Sequence, residues 1–334
     1  MQLTFSGPDA YPNLADRTPE LLVVVDTEEE FDWSKPFDRG NRGVSSIFAN
    51  ERVHEIYNRF GVQPTYCVDQ CVAEDLVAVN FLDGLAKAGE CQIGTHLHPW
   101  VTPPYDEVVN TVNSFHGNLP EALERAKINS VTETIQQAFG ARPRVFKAGR
   151  HGVGPNTIDL LIEAGYTIDC SFAPHTSFRG NEGPSFIGLQ DQPFWLDGAR
   201  TLLEVPFTKG FSGWMAGMFW PPLAGLFDSR GATLFKVPAI LSRLGIIERV
   251  ALSPEGMTVG DQIRLLRSMV KRGKRVFSLS YHSPSLVPGH TPYVRSDDDL
   301  REFLFRIESV LGLFRDEIGG TFTTLEEVRD GALR

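Results

Sequence analysis

The feature that most constrains this chain is an unbroken apolar run, Leu21-Leu22-Val23-Val24-Val25, ended by Asp26. A strand with one wet face would alternate polar and apolar residues. A continuous β-branched run instead marks a strand covered on both faces. Helical and extended patterns then alternate after it. Residues 50–60 have helical spacing, with Val53, Ile56, Tyr57 and Phe60 on one face and Gly61 as the stop. Further strands are predicted at 64–68, 91–95, 144–147 and 166–170, and helices at 75–88, 120–139 and 155–164. The alternation breaks over 172–256, a tract rich in Gly, Pro and aromatic residues with one strand at 202–206. It resumes with a helix at 259–272, a strand at 275–281, a helix at 300–314 and a short strand at 321–323. Thr324 and Glu327 then form a capping-box pattern.

Such alternation predicts an α/β fold on a parallel sheet. Four chemistry-bearing residues stand at strand ends: Asp26, His96, Arg150 and His282. A closed β/α barrel gathers the C-terminal strand ends on one face. An open doubly wound sheet also places its site beyond strand ends. We read residues 1–334 as a single domain, with 172–256 as an insertion and a candidate lid over substrate.

Composition removes some function classes. The formal charge of −10 argues against a general nucleic-acid surface. The chain has no phosphate-binding glycine loop of either common type, which counts against a nucleotide enzyme. Cys67, Cys71, Cys91 and Cys170 form no CxxC pair, so they read as buried free thiols of a reducing compartment. With no basic-then-apolar leader at the N-terminus, the expected location is cytoplasmic. The stretch 210–227 carries no charge and contains Trp214, Trp220 and the pair Pro221-Pro222. It reads first as a buried or substrate-covering loop, and second as a shallow contact with membrane or a lipid-linked substrate.

Two stretches carry the chemistry. His96 and His98 sit two apart at a strand end before Pro99. Such residues share a face, so both imidazoles can reach one metal ion; the alternative is a pair of histidines that only hydrogen-bond. The second stretch, Asp26-Thr27-Glu28-Glu29-Glu30-Phe31-Asp32, has five carboxylates in seven positions. It is either a solvated acidic turn or a cluster whose repulsion a bound dication relieves. Asp26 and Glu28 would share a face, with Glu29 turned away. Arg150 suits bidentate capture of a carboxylate or a structural ion pair. His282 ends an apolar strand, in either a structural or a catalytic role.

The order of these stretches resembles the polysaccharide deacetylase family, of the NodB-homology or carbohydrate esterase family 4 type. It is similar in particular to the lipopolysaccharide-biosynthesis WalW-type subgroup. The resemblance runs over roughly residues 21–325, the insertion apart. It implies a distorted (β/α) barrel, seven-stranded, and a divalent metal, most commonly Zn2+. It also implies a hydrolase that removes N-acetyl or O-acetyl groups from a glycan or cell-envelope polysaccharide precursor. On this resemblance Asp26 is the base. Thr27 stands where the family has a second aspartate, so Glu28 is the candidate metal carboxylate and Glu29 the alternative. His96 matches the first metal histidine; Trp100 occupies the usual place of the second, leaving His98 as its substitute. Arg150 and Gly152 keep the ends of a third motif, in which Arg150 would orient Asp26. His282 matches the late-strand general acid. The family's aspartate-tryptophan motif has no assigned counterpart. Trp33, Trp100 and Tyr105 are candidates for a sugar-stacking wall, with Trp195, Trp214 and Trp220 as further ones. The rival readings are a metal-independent glycoside hydrolase and a non-catalytic, deacetylase-like glycan-binding protein.

Overall fold

In the computed structural model, which describes residues 17–216, 225, 227–228 and 237–333, the apolar run forms strand β1 (Glu20–Thr27). Its side chains serve two cores in alternation. Leu21, Val23 and Val25 pack with residues of the surrounding helices, among them Val53, Tyr57 and Ile307. Leu22 and Val24 point the other way and meet Cys67, Val145, Ile168 and Val276 inside the ring of strands. The same alternation turns Asp26 inward, at the C-terminal rim of that interior.

The other strands are β2 (Thr65–Val68), β3 (Gln92–Leu97), β4 (Val145–Ala148), β5 (Ile168–Asp169) and β6 (Phe194–Trp195). They continue with β7 (Leu203–Glu204), β8 (Lys209–Ser212), β9 (Glu248–Ala251), β10 (Val276–His282) and β11 (Thr321–Phe322). Seven of them run parallel in the order β10-β1-β2-β3-β4-β5-β7, a curled sheet of the expected distorted-barrel type. Strand β6 is antiparallel to β7, and β11 adds a short parallel pairing to the start of β1. Helix α1 (Asn50–Phe60) ends where its sequence says it must, because Gly61 takes a left-handed φ of 69°. At the end opposite Asp26, the C-terminal helix (Leu325–Leu333) plugs the interior with Leu325, Val328 and Ala332 beside Trp195. Thr324 and Glu327 cap that helix reciprocally, at 2.9 and 3.2 Å.

Strands β7 and β10 do not pair directly. The seam between them is closed by the base of the antiparallel β8–β9 hairpin. Thr208 N donates to the Ser278 carbonyl (3.3 Å), Leu252 N to the Thr208 carbonyl (2.8 Å) and Ser280 N to the Leu252 carbonyl (3.2 Å). Part of the tract read as an insertion is therefore sheet: β6 and β7 belong to the barrel, and the hairpin wedges its seam. Strand β3 also runs further than the 91–95 expected, so His96 lies inside it. Half of the uncharged stretch 210–227 lies outside the described residues, Trp220 included. Within its described part Phe211 is buried against Ile247, and Trp214 is exposed. Among the described residues no helix is long and apolar enough to cross a membrane.

Candidate active site

The strand ends deliver a compact cluster. The register sets Asp26 beside His282 across β1–β10, and His96 beside Lys147 across β3–β4. Glu28 continues the inward series of β1, and its Oε2 lies 3.3 Å from His96 Nε2 and 3.5 Å from His98 Nε2. The two Nε2 atoms are 3.1 Å apart. Donors held about 2.0–2.1 Å from a tetrahedral ion sit roughly 3.3–3.4 Å from one another, so this triangle has the size of a metal site. All three residues are buried.

The chemistry of the donors fits a cation as well as their spacing does. Burial pushes the His98 imidazolium down to about 4 and that of His96 well below its usual range, so both rings are neutral near pH 7. His98 Nδ1 donates to Glu29 Oε2 (2.8 Å), which leaves its Nε2 as a bare lone pair facing His96. Burial, with repulsion from Glu29, Asp26 and Asp69, raises the Glu28 carboxyl well above its normal value. Its Oε1 is buried with no hydrogen-bond partner among the described residues. A lone pair, a second neutral imidazole and an acid converging without a cation are what a divalent ion satisfies.

A further layer holds these groups in place. Glu29 turns away from Glu28, as strand alternation requires, and takes the Trp100 indole N–H on Oε1 at 2.7 Å. Its own backbone N–H donates to Asp69 Oδ2 (3.0 Å), while Asp69 Oδ1 caps the helix Gln70–Glu74 through Val72 N (2.8 Å). Burial pushes Glu29 up to about 7 and Asp69 well up too, so this carboxyl pair holds a proton between its members. Trp100 stacks on the His98 ring at 4.2 Å and on Phe37 at 4.2 Å. Gly149 leaves the room His98 needs, since a Cβ there would lie 2.2 Å from His98 Cδ2.

Beside this cluster stand groups with their charges already fixed. Lys147 Nζ pairs with Asp26 Oδ1 at 2.5 Å and donates to Ser280 Oγ at 2.7 Å. Burial alone would raise the Asp26 carboxyl, but Lys147, with His96 and His282, holds it well below the usual carboxylate range. His282 Nδ1 donates to Glu255 Oε2 (2.8 Å), and His282 N to Glu255 Oε1 (3.1 Å). Burial opposes the His282 imidazolium, yet Glu255, Glu28 and Asp26 outweigh it and push it up to about 10. His282 Nε2 faces Asp26 Oδ2 across 3.6 Å. An ionised acid and a protonated imidazole thus flank the three candidate ligands.

Several sequence expectations land elsewhere. Arg150 does not reach Asp26. The chain leaves β4 through left-handed Arg150 (φ 54°) and His151 (φ 57°), which sends the guanidinium to Ser114 Oγ and over the Phe115 ring at 4.1 Å. Lys147, pointing inward one strand repeat after Val145, takes the place expected for it. Trp33 does line the cleft, edge-on to His282 at 4.9 Å. Trp100 borders the same cleft but is buried, its indole N–H on Glu29 and its ring stacked on His98. Tyr105 stands outside the cleft, its hydroxyl donating to the Val101 carbonyl (3.1 Å) under Arg39. Trp195 lies at the plugged end of the barrel. Lys147, Asp69 and Glu255 were missed. The rule that singled out Asp26, a polar residue at an apolar strand's end, also points to Asp69 after Val68.

The cleft over the cluster encloses about 430 Å3, within the range of small-molecule sites. No protein-family model and no curated protein sequence matches the chain. Solved structures do resemble it. An allantoinase, Puue, superposes with a TM-score of 0.55 at 14% identity, over 98% of this chain and 97% of that one. A protein from Pseudomonas aeruginosa PAO1 assigned as a polysaccharide deacetylase gives 0.53 at 15% identity, over 93% and 90%. One from Mycobacterium smegmatis with the same assignment gives 0.50 at 17% identity, over 99% and 95%. At such identities the likeness is one of fold: this chain folds as the (β/α) barrel of the NodB-type polysaccharide deacetylases.

Proposed function

We propose that the chain is a divalent-metal-dependent hydrolase that removes an acetyl group from a sugar nitrogen of an acetylated glycan. One observation carries the reading: Glu28 Oε2, His96 Nε2 and His98 Nε2 converge within 3.5 Å, beside the facing pair of ionised Asp26 and protonated His282. Glu28, His96 and His98 would hold the ion, and Zn2+ suits two neutral imidazoles and one carboxylate. When bound, the ion supplies Lewis acidity at the floor of the cleft.

The chain's own groups supply the rest. Lys147 keeps Asp26 ionised, with Oδ1 in the ion pair and Oδ2 turned to the cleft, where it accepts a proton from the attacking water. The water oxygen bonds to the acyl carbon and the C–N bond breaks. The leaving nitrogen takes a proton from His282 Nε2, while Glu255 on Nδ1 fixes the tautomer and the charge. Trp33 offers a flat apolar wall beside that transfer. The four buried, unpaired thiols support a reducing, cytoplasmic setting. A metal-independent glycoside hydrolase needs two carboxylates free to face a sugar bond. Here Asp26 is tied to Lys147 and Glu28 faces two imidazoles, which favours the metal-dependent reading.

The test is acetate release from N-acetylated oligosaccharides by the purified chain, before and after chelation and again after Zn2+ is restored. The proposal expects loss and recovery. Full release by the chelated protein contradicts it, and glycan binding without release by the metal-loaded protein favours a non-catalytic role.

A further inference from the structure

The cleft continues past the Asp26–His282 pair into a second cavity of about 370 Å3, between β4, β10 and the β8–β9 hairpin. The two share Asp26, Lys147, His151, His282 and Tyr293. The charged lining of the second is Lys147, Lys209 and Arg249 with Asp26 and Glu255, beside His282. Most of its charged groups are matched. Lys147 has Asp26 and Ser280. Arg249 has Asp228 Oδ1 at 2.8 Å and the His175 carbonyl at 3.0 Å. Glu255 has His282 and Ser285. Lys209, on β8, lines the cavity, and its ammonium has neither a hydrogen bond nor an ion pair among the described residues.

Lys209 is half-buried, and an ammonium partly withdrawn from water without an acceptor carries a cost. Burial, reinforced by the nearby Arg249, brings Lys209 down to about 8 even with Asp228 acting the other way. Among the described residues the acids around the cavity already have partners: Asp26 has Lys147, Asp228 has Arg249 and Glu255 has His282. An anion entering from the cleft would answer the Lys209 ammonium.

We propose that this cavity is a subsite for an oxyanion, a carboxylate or phosphate carried by the substrate, received by Lys209 beside Arg249. The placement on the substrate rests on the hydrolase reading, because the shared Asp26, Lys147 and His282 connect the cavity to the acyl-transfer position. Anion binding itself does not depend on catalysis. The subsite selects acidic or phosphorylated acetylated sugars over neutral ones.

The experiment is competitive labelling of lysines in the full chain with trace acetic anhydride at mildly alkaline pH, read by peptide mass spectrometry. It is run with inorganic phosphate, with glucuronate and with neither, in metal-loaded and metal-depleted protein. Lys209 should acquire label, and one of the two anions should slow that labelling about tenfold while leaving exposed Lys35 unaffected. Protection by glucuronate identifies a carboxylate, and protection by phosphate a phosphoryl group. Calorimetry should then show Lys209→Met weakening that anion about tenfold, Lys209→Arg restoring it, and His96→Ala retaining it. Equal labelling of Lys209 with and without both anions overturns the proposal, as does unchanged affinity in Lys209→Met. Protection of Lys209 in a protein that releases no acetate sinks the hydrolase reading alone, and acetate release with Lys209 unprotected sinks the subsite alone.

Discussion

On the β1–β3 side of the rim, Glu28, Glu29 and Asp69 crowd two neutral imidazoles, and among the described residues none of the three acids has an ion pair with a lysine or arginine. On the seam side, Lys147, Lys209 and Arg249 gather around a cavity whose acids are already paired. The first half raises its carboxyl groups and lowers its histidines, both toward neutrality. The second drives Asp26 to its anion and His282 to its cation. A half that neutralises its own groups is built to receive charge from outside, and one that fixes them is built to exchange protons at set positions. The boundary runs between Asp26 and Glu28, two residues of one strand.

The largest effect should follow from breaking the neutral half. His96→Ala removes one corner of the donor triangle and should abolish stoichiometric metal and lower acetate release by about 10³-fold or more, checked by metal analysis and initial rates. Lys147→Met attacks the charged half. It strands Asp26 as a buried acid without its cation, which should cost about 3–5 kcal/mol in denaturant unfolding. It should also lower the rate by about 10²-fold, with metal content retained.

Glu255→Gln sharpens the comparison through pH. His282 sits at about 10, above the ordinary 6.5, so its charged form gives stability that is complete below 6.5 and lost as pH rises through about 10. Removing Glu255 takes away the largest favourable contribution to that charge. The ring should then titrate at lower pH by NMR, the alkaline limb of the rate profile should move down with it, and the rate at about pH 8 should fall about tenfold. The smallest effect is expected from Trp100→Phe, which keeps the stacking ring but strips the indole donor from Glu29. Metal affinity should weaken by about tenfold or less, measured by competition with a chelating dye.

The sequence was legible where a residue's role follows from its own neighbours. Leu21–Val25, the period-two step from Asp26 to Glu28 and from His96 to His98, and the stop at Gly61 each state their geometry locally. Lys147 was legible in principle: a lysine within Val145–Ala148, an otherwise apolar strand, is buried only with a partner. Arg150 misled because the left-handed turn that aims it at Ser114 leaves no mark on residue type. Glu255 was beyond reach, since it lies in an irregular tract without periodicity and meets His282 only because the hairpin closes the seam.

Anomalous scattering at the zinc edge from crystals of the Zn2+-loaded chain tests the central claim most directly. The account predicts one strong peak about 2.0–2.2 Å from His96 Nε2, His98 Nε2 and a Glu28 carboxylate oxygen. A peak elsewhere with these three side chains unliganded, or none at saturating Zn2+, would contradict it.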